Sequence, residues 1–281
     1  MSLVTKSFGL LLGSLAIMPV LSAQSLRVCA DPGNLPYSDV QKQGFENRIA
    51  ALIARDLNEE LHYFWFPQRD NFFRKTINQG LCDVVMGVPV GMKGLETTRS
   101  YYRSSYVFVT RKDQDLRISS FDDPRLRSLK IGVHVLSEQG DSLPPVYALT
   151  SRGITKNLVG ISIFGNLNEK DPSTDLLKAV ADKQVDVAVV WGPLAGYFAQ
   201  HSPVPLSLTP VVEGPREQSL PFHFEIAIGV RRDETALRDA LDAELERRRG
   251  EIAKILQSYG VPQPNIPSSS SDIRKSEVCG Y

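Results

Sequence analysis

The chain has no excess charge of either sign: 32 lysines and arginines stand against 32 aspartates and glutamates in 281 residues. That balance gives no electrostatic case for nucleic acid or for an anionic membrane surface. Familiar catalytic signatures are also missing. There is no G-x-S-x-G elbow, H-E-x-x-H zinc helix, Walker loop or G-x-G-x-x-G nucleotide turn in the sequence. Histidine is scarce and scattered, at His62, His134, His201 and His223. Cysteine is scarcer, at Cys29, Cys82 and Cys279, with no C-x-x-C spacing to support a metal site. No catalytic residue and no metal ligand are assigned on these grounds.

Only one long apolar run is present, and it lies near the start. Lys6 precedes an almost uncharged stretch from Phe8 to Leu21, followed by the small pair Ser22-Ala23. This is the build of a secretory signal peptide over residues 1–23, and the stretch is shorter than the roughly 18–20 apolar residues of a membrane span. The expectation is therefore a periplasmic protein with no membrane span once the signal is removed. An oxidising compartment permits a disulfide. Cys29 and Cys82 each sit at or beside an early strand and are expected to pair, leaving Cys279 spare.

Beyond the signal the chain alternates between two periodicities. The run at 26–30 reads as a strand ended by the turn-forming residues Asp31 to Asn34. Phe45, Ile49, Leu52, Ile53 and Leu57 then recur at helical spacing, predicting a helix over 44–60. An aromatic strand at 62–66, a helix around Phe72, Phe73 and Ile77 stopped by Gly80, and a buried strand at 83–88 follow. A β-α-β-α-β order of this kind implies a parallel sheet covered by helices. After a strand at 106–110 and a polar stretch the cycle restarts, with strands at 129–133, 159–163 and 185–190 and helices between and after them. Residues 224–230 form a last strand, and Asp233 is placed to cap a long charged helix that Gly250 interrupts. The predicted fold class is α/β with two hinged lobes and a cleft between them. Lobe one comprises residues 24–110 and 222–261, lobe two residues 111–221, and a proline- and serine-rich tail runs over 262–281.

In open α/β sheets, ligands sit outside the carboxyl ends of the strands. That rule selects Asn34 and Tyr37 after the first strand, Glu46 and Asn47 at the first helix, Arg69 after the aromatic strand, Pro89 after the third, and Trp191 in lobe two. Tyrosine and tryptophan supply broad contact with a polar edge, and Arg69 and Arg103 can form charge-assisted hydrogen bonds. His134 follows a lobe-two strand; a partly solvated histidine at a strand end competes with a role in the cleft.

Several stretches carry a resemblance. DLLKAVADKQVDVAVV at 175–190 is similar to the helix-then-strand segment of type II periplasmic solute-binding proteins. LRVCADP at 26–32, GFEN at 44–47, CDVVMGVP at 82–89 and TRSYYRSSYVFV at 98–109 together resemble the quinoprotein dehydrogenase-associated branch of that superfamily. The last stretch adds Arg99, Tyr102 and Ser104 to the candidate binding residues. The resemblance implies a periplasmic accessory to a pyrroloquinoline quinone (PQQ)-dependent alcohol dehydrogenase such as methanol dehydrogenase, acting in its maturation or activation. It implies that the dehydrogenase carries the PQQ and that this chain binds no cofactor itself. Amino-acid-binding relatives carry a T-x-x-R-type segment whose arginine clamps the ligand's α-carboxylate. At the aligned place this chain has Val90, Gly91, Met92 and Lys93. A partner segment or small ligand between the lobes is therefore the leading reading, a transporter-coupled solute receptor the second. A hydrolase or dehydratase on the same lobes is the third, and it would need a titratable pair such as Glu46 with His134 meeting in the cleft.

Overall fold

The computed structural model describes residues 25–69, 71–136, 143–163, 172–217 and 220–262. The expected signal segment, Cys279 and all of the tail but Pro262 lie outside these residues. Lobe one begins with β1 (Ser25–Ala30), a small hairpin of β2 (Gly33–Asn34) and β3 (Ser38–Asp39), α1 (Phe45–Asp56) and β4 (Glu60–Trp65). It continues through the single-turn α2 (Phe72–Lys75), β5 (Val84–Pro89) and β6 (Glu96–Thr97) to the long strand β7 (Tyr102–Arg111). Lobe two holds β8 (Ile131–Val135), α3 (Pro144–Thr150), β9 (Leu158–Ser162), α4 (Asp175–Ala181), β10 (Val187–Trp191), α5 (Gly192–His201) and β11 (Leu206–Pro210). The chain returns through β12 (His223–Val230) to α6 (Thr235–Arg247) and α7 (Arg249–Ser258).

One sheet runs through both lobes in the order β4-β1-β5-β12-β7-β10-β8-β9, with β11 added on β7 and β6 on β12. β1 pairs in parallel with β4 and β5, and β8 with β9 and β10, as the alternating sequence pattern requires. β7 and β12 run antiparallel to their neighbours and carry the chain between lobes. Residues 102–105 of β7 pair with β12, whereas residues 106–111 pair with β10 and β11. The change of partner falls between Ser105 and Tyr106.

Three local expectations are corrected. The first helix ends at Asp56, not residue 60, because Glu60 already belongs to β4 and pairs with Ser25. Asp233 does not cap α6: Glu234 occupies the cap position without a side-chain bond. The break in the charged helix falls at Arg248, and Gly250 lies inside α7. Arg248 instead holds that junction to the end of α1 through both Asp56 carboxylate oxygens, at 2.5 and 3.1 Å. β11 and the lobe-one half of β7 have no counterpart in the sequence reading.

The lobe-one core forms where α1 lays Phe45, Ile49 and Ile53 against β1, β5 and β12, all three being almost fully buried. Each such side chain contributes roughly 1.5–3 kcal/mol by leaving water. Behind the sheet, Cys29 and Cys82 form the expected disulfide in a small cluster with Phe72, Ile77, Val85 and Val88. The lobes also meet through α5. A Cβ on Gly196 would fall 1.9 Å from the Gly260 carbonyl oxygen, and Tyr197 stacks on Tyr259 at 5.9 Å.

Two outcomes are expected. Reducing the disulfide, which spans 53 positions, should cost about 4 kcal/mol from regained chain entropy, read as a lower urea midpoint. Gly196→Ala should destabilise by about 1–3 kcal/mol through backbone displacement. Gly250→Ala, whose Cβ would meet nothing within 4 Å, should instead be neutral or stabilising by up to about 1 kcal/mol.

Candidate functional site

The carboxyl ends of β1 and β5 face the entry of α1, and there the sequence collects tyrosines around a single acid. The Leu35–Pro36 peptide is cis, and the following residues double back so that the backbone nitrogens of Phe45 and Glu46 donate to the carbonyls of Pro36 and Tyr37. Asn47 ties the turn from within. Its Oδ1 accepts from the backbone nitrogens of Asp39 and Gly44, both at 3.1 Å, while its buried Nδ2 has no partner. Phe45 packs its ring against Tyr37, Tyr102 and Tyr259 at 5.4–5.9 Å, which fixes the helix start.

Glu46 is thereby held in the interior, 9% exposed. Its carboxyl presses on the backbone of Gly87, which has φ +75°, and a Cβ there would lie 2.3 Å from Oε1. Only glycine suits both the conformation and the approach. No hydrogen bond or ion pair to the carboxyl forms among the described residues. Tyr37, Tyr63, Tyr101 and Tyr102 all feel its charge. Burial pushes the carboxyl up from 4.5 to about 8, because water no longer stabilises the anion. Burial likewise pushes the Tyr63 hydroxyl to about 12 and those of Tyr37, Tyr101 and Tyr102 well above their ordinary value. The Tyr101 hydroxyl lies buried beside Gly87 without a well-formed hydrogen bond.

This cluster continues into the seam between lobes. Tyr37 senses Tyr106 at the start of the lobe-two half of β7. Tyr106 meets the Trp191 ring edge-on at 5.4 Å, and Trp191 meets Phe224 at 5.7 Å. Below them the Ser104 and Ser105 hydroxyls are buried without partners, and the Ser104 hydroxyl and the Ser105 carbonyl lie against Gly192 at the start of α5.

Of the residues proposed from the sequence, Tyr37, Glu46, Asn47, Tyr102, Ser104 and Trp191 thus gather around the seam. Pro89 ends β5 opposite Ile226. The others lie apart. Asn34 bonds to Gln68 at 3.4 Å in the loop beyond β1, near half-buried Arg69. Arg103 pairs with Glu225 on the neighbouring strand. Arg99 donates its backbone N–H to the Asp242 carboxylate and lines an 80 Å³ cavity against α6 and α7, with Glu246 and Arg249. A second cavity, about 310 Å³, lies by Arg111 and Pro205 at the far end of β7.

His134 is buried within lobe two, its Nε2 3.0 Å from the Ser173 carbonyl, so Nε2 carries the proton. Burial pushes it down to about 4, against that hydrogen bond. No interaction joins it to Glu46, so the acid–base pair that a hydrolytic reading requires is not assembled. Sequence reasoning passed over Tyr63, Tyr101, Tyr106, Phe224 and Gly87. The glycine inside an otherwise apolar strand was the available signal of a close approach.

The two-lobed fold agrees with comparisons across known proteins. No family model matches. The chain is 32% identical to protein MoxJ of Methylorubrum extorquens over 260 residues, covering 85% of this chain and 82% of that one. The chain belongs to the MoxJ family. MoxJ of Paracoccus denitrificans is 29% identical over 268 residues, covering 91% of this chain and 94% of the relative. The crystal structure of the periplasmic binding protein XoxJ from Methylobacterium extorquens AM1 superposes with a TM-score of 0.71 at 32% identity, covering 86% of this chain and all of XoxJ. The family is thus one of periplasmic binding proteins. No helix of the described residues is long and apolar enough to cross a membrane.

The two perturbed groups act oppositely on stability. Between about pH 4 and 6.5 the unfolded chain binds a proton at His134 that the folded chain refuses, so stability rises with pH. Between about pH 4.5 and 8 the folded chain keeps a proton at Glu46 that the unfolded chain has released. That contribution is complete at low pH and is lost as pH climbs through 8. From about pH 6.5 to 8 the wild type should therefore lose about 1 kcal/mol per pH unit relative to Glu46→Gln, measured by urea denaturation. Parallel pH profiles for the two proteins would show that the carboxyl is already ionised in the folded state.

Proposed function

We propose that this MoxJ-family protein is an exported accessory of a PQQ-dependent alcohol dehydrogenase and that a segment of that enzyme docks at the seam between its lobes. The observation that carries this reading is the composition of the seam. Tyr37, Tyr106, Trp191 and Phe224 present half-buried rings along it, and such rings are the usual anchors of protein–protein contacts. Arg99 and Arg103, the arginines of the 98–109 stretch, are engaged elsewhere, so neither offers the carboxylate clamp of an amino-acid receptor. The quinone would belong to the dehydrogenase. The full set of family motifs supports that partner over a nutrient.

Tagged protein incubated with periplasmic extract of alcohol-grown cells should recover a quinoprotein dehydrogenase. Trp191→Ala, which removes a central ring, should lower recovery about tenfold or more. Failure to recover any such enzyme, together with a rise in melting temperature of several degrees on adding one small metabolite, would assign the protein to solute transport instead.

A further inference from the structure

The Glu46 carboxyl stands apart from the other buried ionisable side chains of the described residues. Asp39 accepts from the Gln43 backbone at 2.5 Å, Arg152 pairs with Asp122 at 2.8 Å, and His134 is bonded to Ser173. Glu46 has no such partner, although the fold goes to some length to hold it in place. Gly87 removes the side chain that would collide with Oε1, Phe45 and Asn47 anchor the helix start, and four tyrosines close around it. Asn47 Nδ2 is also buried there without a partner, and the Tyr101 hydroxyl has only the Gly87 backbone beside it, without a well-formed hydrogen bond. A buried acid without a cation is costly, and one that gains a cation from outside is stabilised strongly. Tyrosine faces add attraction for a positive charge and none for an anion.

We infer that Glu46 and its tyrosine surround form a receptor for one primary alkylammonium group, of the kind a lysine side chain presents. This rests on the reading of the seam as the docking site and names the chemistry that the docked segment must bring. The hydroxyls that feel the carboxyl's charge are those of Tyr37, Tyr63, Tyr101 and Tyr102, all neutral below the upper pH range, and the cation that lies by this group is Lys42, 5.6 Å from the Tyr63 ring centre. Binding requires the carboxylate, and below its raised titration point the cation must displace a proton.

Calorimetric titration of the full chain with n-butylamine and with 1-butanol tests this. The amine should bind at least about tenfold more tightly than the alcohol at pH 9, and its affinity should fall about tenfold per pH unit below about 8. Glu46→Gln should abolish the preference while leaving the melting temperature unchanged or higher, and Gly87→Ala should weaken it by crowding the carboxyl. Equal binding of amine and alcohol, no measurable amine binding, or a preference that survives Glu46→Gln would each overturn the inference. Capture of the dehydrogenase after acetylation of its lysines distinguishes the sources: lost capture assigns the ammonium to the partner, retained capture to a free amine. Capture that persists with no amine binding would sink this inference and leave the docking function standing.

Discussion

The constraint on which the molecule depends is a single strand shared by two lobes. β7 pairs with β12 through Ser105 and with β10 and β11 from Tyr106 onward. Because its hydrogen bonds belong to both halves of the sheet, neither lobe can shift without bending this strand and its neighbour β12. The residues on either side of the switch are consequently held by both halves of the sheet. Ser104 and Ser105 lie under Gly192, and Tyr106 stands beside Trp191. The Tyr106, Trp191 and Phe224 part of the aromatic seam follows from strand register, and the turn before β3 adds Tyr37.

The second organising feature is chemical. A carboxyl enclosed by tyrosines is a poor contributor to stability, since burial disfavours its charged form and nothing in the described chain compensates it. The surrounding structure nevertheless enforces the arrangement at Gly87, Phe45 and Asn47. Costs of this kind collect at functional sites, where an external group completes what folding leaves unfinished. The contrast with His134 is instructive. Both groups are displaced by burial, but the histidine is neutral, hydrogen-bonded and packed away, and so serves the lobe-two core alone.

Binding and rigidity are linked through α5. The close approach of Gly196 to Gly260 and the stacking of Tyr197 on Tyr259 bring the lobe-two helix onto the end of α7. Tyr259 in turn packs on Phe45 and its hydroxyl donates to the Gln43 carbonyl, next to the α1 entry. A change in lobe position therefore reaches the Glu46 environment through three side chains. A segment docked at Trp191 and a cation at Glu46 would act on the same contacts.

Much of this was legible in the sequence for plain physical reasons. Alternating periodicity located β1, α1, β4, β5, β8, β10 and β12, because apolar faces must be buried wherever they occur. The strand-end rule selected Tyr37, Glu46, Asn47 and Trp191, which the fold brings to the seam, and the positions of two cysteines beside early strands anticipated their bridge. Family motifs pointed to the MoxJ relatives. What sequence could not decide was which candidates meet. Asn34, Arg99, Arg103 and His134 have the chemistry of site residues, yet strand pairing and helix packing send each to a different partner. Tyr106 and Phe224 read as strand residues and join the site only because β7 and β12 cross between lobes. Local pattern determines which faces are buried; the long-range pairing of β7 and β12 and the packing of α1 on β5 determine which side chains share a cleft.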